Sequence, residues 1–80
     1  MKALIHITLK EGILDPQGKT IHHALQTLGF TAMAEVRTGK LIEISLAGLD
    51  HGGAAAVVEE ACRKLLANPV MENYSYSIVE

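Results

Sequence analysis

The sequence predicts one α+β domain, a four-stranded antiparallel sheet carrying two helices on one of its faces. Three observations lead there. Apolar residues alternate with a period of two in three short segments, and Ala32 to Arg37 reads as a fourth strand. They recur at helical spacing in two longer ones. The segments follow in the order strand, helix, strand, strand, helix, strand. Eighty residues suffice for one such domain and not for two, so residues 1–80 form a single unit.

The first strand runs from Lys2 to Lys10, where Ala3, Ile5, Ile7 and Leu9 alternate with Leu4, His6 and Thr8. Asp15-Pro16 then starts a helix, with an Asx side chain at the N-cap and a proline at the first helical position, where its missing N–H costs nothing. Ile21, Ala24, Leu25 and Leu28 form its apolar stripe, and Gly29 supplies the left-handed residue that ends it. Ala32 to Arg37 and Lys40 to Ala47 read as two strands, joined at Thr38-Gly39 by a glycine with positive φ. Asp50 caps the second helix, whose inward stripe is Ala54, Val57 or Val58, Ala61, Leu65 and Cys62. That helix ends at Asn68-Pro69, the asparagine serving as a left-handed cap. Tyr74, Tyr76 and Ile78 alternate with Ser75, Ser77 and Val79 in a last strand. The βαββαβ order is that of a ferredoxin-like fold.

In this plan one sheet face is left without helices. It carries Leu4, His6, Leu41, Glu43 and Ser45, with Thr8, Ser75, Ser77 and Val79 beside them. The mixture is neither strongly charged nor wholly apolar, which suits contact with a second copy of the chain. A domain this short has a stability balance near zero. Its single cysteine excludes an internal disulfide, and a partner supplies what is missing.

Composition excludes several functions. Nine acidic and seven basic residues leave a net charge of −2, which provides no footprint for nucleic acid or an anionic membrane. Two tyrosines, one phenylalanine and no tryptophan leave few platforms for stacking bases. The longest uninterrupted apolar run, Ala54 to Val58, is far below the roughly 18–20 residues that span a bilayer. The N-terminal stretch meets His6 and Thr8 too early for a signal peptide. A cytoplasmic chain is expected.

Catalytic chemistry is hard to assemble. His22 and His23 are adjacent on a helix and point about 100° apart, whereas metal-binding pairs sit at i, i+4. His6 and His51 have no ligand-spaced cysteine or carboxylate around them, so no metal is expected. Cys62 falls on the inward half of its helix as a small hydrophobe with no neighbouring base. Gly48 to Gly53 lacks the ending of a phosphate-binding loop. Glu43 with His6 is the one conceivable acid/base pair. The residues describe a binding or accessory domain without catalytic residues of its own.

Two segments go beyond fold. Thr8-Leu9-Lys10-Glu11-Gly12-Ile13-Leu14-Asp15-Pro16-Gln17-Gly18-Lys19 resembles the strand-to-helix signature of the PurS family, the small S subunit of bacterial phosphoribosylformylglycinamidine synthase. Leu65-Leu66-Ala67-Asn68-Pro69-Val70-Met71-Glu72 resembles its second signature, and Glu35 to Glu43 its hairpin. The resemblance spans essentially the whole chain. It implies a dimeric, non-catalytic subunit that bridges a glutaminase and a large synthetase and assists ammonia transfer. It also implies that the complex uses ATP, glutamine and water to convert formylglycinamide ribonucleotide to formylglycinamidine ribonucleotide. No cofactor is then expected on this chain, since ATP and magnesium belong to the synthetase. Polar loop residues on a rigid scaffold are where partners bind, which selects Lys10, Asp15, Gln17, Lys19, Arg37 and Lys40 as partner contacts. The alternative is a regulatory dimer that senses a small metabolite, since βαββαβ modules also bind amino acids between copies.

Overall fold

The computed structural model describes residues 1–80 as β1 (Lys2–Leu9), α1 (Pro16–Thr27), β2 (Gly39–Ser45), α2 (His51–Ala61) and β3 (Glu72–Val79), with a π-helical turn (Cys62–Leu66) continuing α2. The sheet has the order β2-β1-β3, and both pairings are antiparallel. It therefore has three strands and not four. Ala32 to Arg37, expected as a strand, pairs with no neighbour. Only Val36 in that segment is β-branched. Its C-terminal end is held instead by hydrogen bonds from Arg37 and Thr38 to the turn between β1 and α1. The three strands keep the places they have in a ferredoxin-like sheet, and the strand that would flank β2 is missing.

The register puts Ala3, Ile5 and Ile7 of the central strand opposite Ile44, Ile42 and Lys40 of β2, and opposite Ile78, Tyr76 and Tyr74 of β3. Helix α2 covers this face, and Ala3, Ile5, Ile7, Val58, Cys62 and Ala67 make the core. The Asp50 carboxylate caps the helix as expected, accepting the Gly53 N–H at 2.6 Å. The inward stripe is Ala54, Val58 and Cys62, with Leu66 packed against the core. Leu65, expected inside, is 82% exposed, and Val57 is also exposed. Each four-residue step overshoots an α-helical turn by about 40°. The wider π turn, closed by Ala67 N–H on the Cys62 carbonyl at 3.1 Å, offsets that drift and brings Leu66 inward in place of Leu65.

Helix α1 follows its sequence signals locally. Asp15 caps it, Pro16 occupies its first position, and Gly29 has φ +97°. The Phe30 N–H reaches the Leu25 carbonyl and the Gly29 N–H the Gln26 carbonyl, closing a Schellman motif. Its placement differs from expectation, because it does not lie on the sheet beside α2. Gly18 is its only buried residue. The chain is correspondingly elongated, 50 × 27 × 14 Å with a radius of gyration of 16.2 Å, against about 12 Å for a compact chain of this length.

Two turn assignments are also corrected. Gly39 does not have positive φ; it is needed because a Cβ there would lie 2.6 Å from the Ile7 carbonyl oxygen across the strand pair. Asn68 is not left-handed either. Its side chain accepts the Val70 N–H at 2.9 Å, an Asx turn that carries the chain past Pro69 into β3.

Candidate functional site

The polar residues expected to meet partners gather where β1 runs into α1. Asp15 is the hub. Its carboxylate accepts the Gly18 N–H at 2.8 Å, the Thr38 N–H at 2.6 Å and the Thr38 hydroxyl at 2.9 Å, and it is only 3% exposed. The Thr38 N–H holds its pKa below the ordinary carboxylate range, the Gly18 N–H and Thr38 hydroxyl add to this, and nearby Arg37 contributes least. Burial opposes the shift and is outweighed. With its oxygens committed to three donors, Asp15 is a clasp and not a proton carrier.

Arg37 completes the clasp. Its guanidinium donates to the Ile13 carbonyl at 2.9 Å and to the Lys10 carbonyl at 3.2 Å. Two further bonds hold the segment after α1 along the helix. The His22 ring nitrogen Nε2 lies 2.7 Å from the Met33 carbonyl oxygen, and the Gln26 amide donates to the same oxygen at 3.1 Å.

The clasp separates two shallow clefts. One, of about 390 Å³, is lined by Gln17, Thr38 and Lys40 with Asp15 at its wall; an ion pair of Lys40 with Glu72 at 3.6 Å also lines it. The other, of about 270 Å³, is lined by Lys19, His22, Glu35 and Arg37. Lys10 lies apart from both, in a groove with Arg63, Asn73 and Tyr74. Of the six predicted contacts, Gln17 and Lys19 are exposed and make no side-chain hydrogen bond or ion pair. Asp15 and Arg37 are spent internally. Sequence reasoning missed Thr38 and Glu72; a turn threonine and a strand-end glutamate carry no signal of the distant groups that they bind.

On the open sheet face, Leu4 stands opposite Glu43 and His6 opposite Leu41, with Ser45 across from Lys2. Glu43 ion-pairs with Lys2 at 4.0 Å, so the conceivable Glu43–His6 pair is not formed. Cys62 is fully buried; burial pushes its thiol pKa up and the Glu59 charge pushes it further. Burial likewise raises the Tyr74 phenol, with Glu59 adding to the effect. The Gly48 to Gly53 loop does not suit a nucleotide phosphate, because the Asp50 carboxylate already occupies the helix N-terminus there. No helix of the chain is long and apolar enough to cross a membrane.

A clasped loop, an open sheet face and clefts lined by ordinary surface side chains define a small α+β domain whose polar groups are organised for structure and binding. Residues 2–80 match the family model of PurS, phosphoribosylformylglycinamidine (FGAM) synthase. The chain is 46% identical over 77 residues to the PurS subunit of that synthase from Methanocaldococcus jannaschii, covering 96% of this chain and 93% of the relative. The crystal structure of M. jannaschii PurS superposes with a TM-score of 0.87 at 43% identity, over 99% of this chain and 95% of that one. The structure of PurLQS from Thermotoga maritima matches with a TM-score of 0.87 at 29% identity, over 98% and 95%. The chain belongs to the PurS family of phosphoribosylformylglycinamidine synthase subunits, which act in purine biosynthesis. This membership favours a synthase subunit over a metabolite-sensing domain.

Proposed function

We propose that the chain is the bridging subunit of the synthase, joining a glutaminase to a large synthetase and assisting the passage of ammonia from one to the other. The complex is cytoplasmic and consumes ATP and glutamine, and both ATP and magnesium are held by the synthetase. The observation that carries this reading is the match over 98% of the chain to a chain of the T. maritima PurLQS structure. Gln17, Lys19 and Lys40 contact the partner subunits at the two clefts, with Lys10 on the flanking groove, while Asp15 and Arg37 hold those side chains in place. The chain works as a homodimer, and Leu4, His6, Leu41, Glu43 and Ser45 of the open sheet face are its self-association surface.

Reconstitution from the separate subunits tests this. Omitting the chain abolishes glutamine-dependent product formation while leaving formation from added ammonium salt. If glutamine-dependent formation persists at full rate without it, the bridging assignment is wrong.

A further inference from the structure

Seven side chains are lysine or arginine, and most of them are already committed. Lys2, Lys40 and Lys64 pair with Glu43, Glu72 and Glu60, and the Arg37 guanidinium is on the Ile13 and Lys10 carbonyls. Lys10, Lys19 and Arg63 are left without an ion pair. Lys19 shares its cleft with Glu35. Lys10 and Arg63 instead share a groove of about 460 Å³ with Pro69, Asn73 and Tyr74. The carboxylate in its wall, Glu72, is held by the Lys40 ammonium at 3.6 Å and by the Asn68 N–H at 2.8 Å. Glu11, next to Lys10 in sequence, lines a different cleft. Glu59, one helical turn before Arg63, acts on the Tyr74 phenol and makes no ion pair with the guanidinium. Two cations thus stand unpaired in one groove of a chain whose net charge is −2.

Both walls of the groove are fastened. The Lys10 N–H donates to the Met71 carbonyl at 2.8 Å, and the Lys10 carbonyl accepts from Arg37. Opposite, Asn68 closes its Asx turn on the Val70 N–H, and its carbonyl accepts the Glu72 N–H at 2.8 Å. Val70, beside Pro69 in that turn, is 77% exposed. A surface held this way loses little freedom on being covered. The groove lies at the carboxyl end of α2 and its π turn, where the helix dipole is negative and no row of N–H groups awaits a phosphate. Side-chain carboxylates on a peptide answer the two cations, and their apolar neighbours cover Val70 and Pro69.

We infer that this groove receives an acidic segment of another synthase subunit, its carboxylates on Lys10 and Arg63 and an apolar residue against Val70. The inference rests on the bridging reading and names the chemistry of one of its contacts. The reconstituted synthase tests it, through the concentration of this chain that gives half-maximal glutamine-dependent product formation. Lys10→Glu with Arg63→Glu raises that concentration about tenfold or more, because attraction becomes repulsion, and leaves the saturated rate unchanged. Lys10→Gln with Arg63→Gln gives a smaller rise in the same direction, and raising the salt concentration weakens the parent more than either variant. Lys64→Glu, outside the groove, has no such effect. A carbodiimide couples the Lys10 amine to an Asp or Glu of the other subunit, which peptide mapping identifies.

Circular dichroism and sedimentation velocity confirm that the variants keep the parent's fold and state of association. A doubly reversed chain that saturates the synthase at the parent's concentration overturns the groove assignment and leaves bridging intact. So does a Lys64→Glu chain that is equally weakened, since the effect is then one of general charge. A double variant that no longer sediments as the parent does also overturns it, because Lys10 and Arg63 then serve a different contact. A synthase that runs at full glutamine-dependent rate without the chain overturns the bridging reading and this inference together.

Discussion

Gly18→Ala should destabilise a helix that alanine would ordinarily favour. An added Cβ at position 18 would overlap the Val36 carbonyl oxygen and lie 2.8 Å from Asp15 Oδ2. Neither atom can easily retreat. One belongs to the backbone and the other to a carboxylate held by three donors. Replacing glycine with alanine gives a helix at most about 1 kcal/mol, and less here, because residue 18 lies in the first turn of α1. Forcing a methyl group into an occupied site costs about 1–3 kcal/mol. The clash wins, with a net loss of about 1 kcal/mol, or about 4–8 °C in Tm for a domain of this size. Gly52→Ala is the internal control. Its added Cβ has no neighbour nearer than Asp50 Oδ1 at 3.8 Å, so Tm rises. Thermal unfolding followed by circular dichroism at one fixed protein concentration compares the two, since Tm depends on concentration wherever a chain self-associates. A Gly18→Ala chain at least as stable as the parent would refute the close approach of residues 18 and 36.

Ile5, fully buried at the centre of the middle strand, loses about 2–5 kcal/mol as Ile5→Ala, measured by urea unfolding at unchanged m-value. The folded-state pKa of Asp15 lies below its unfolded value, so its contribution is complete above about pH 4 and fades as pH falls through the folded pKa. Asp15→Asn is therefore less stable at neutral pH, and it flattens the acid limb of a plot of urea midpoint against pH; an unchanged limb would show that the clasp is not electrostatic. Cys62, buried with a raised thiol pKa, stays unreactive toward an aromatic disulfide reagent at pH 8 and reacts fully in denaturant.

Local chemistry was legible in the sequence wherever neighbouring residues decide it. Asp15-Pro16, Gly29 and Asp50 mark helix ends through contacts within a few residues of themselves, and each functions as read. The register of the three strands follows from alternation around Ile5, because one sheet face must be apolar. Contacts between residues far apart in sequence could not be read. Arg37 looks like a free surface cation until its fork is found on the carbonyls of Lys10 and Ile13. Ala32 to Arg37 reads as a strand, but that reading does not say whether an edge accepts it. The stripe of α1 has the spacing of a buried face and is silent about its own sheet leaving Leu28 exposed.

The Asp15–Thr38 clasp joins residues 23 apart in sequence, which makes the stretch between them a lobe fastened at its base. Strand register is set outside the fastening, by β1, β2 and β3 alone. A lobe lengthened or shortened by one helical turn would therefore leave the sheet in phase while moving the tip of α1 by about 5.4 Å. Reach and fold are separately adjustable in this chain, so spacing to a neighbour can drift among relatives without a single sheet contact being rebuilt.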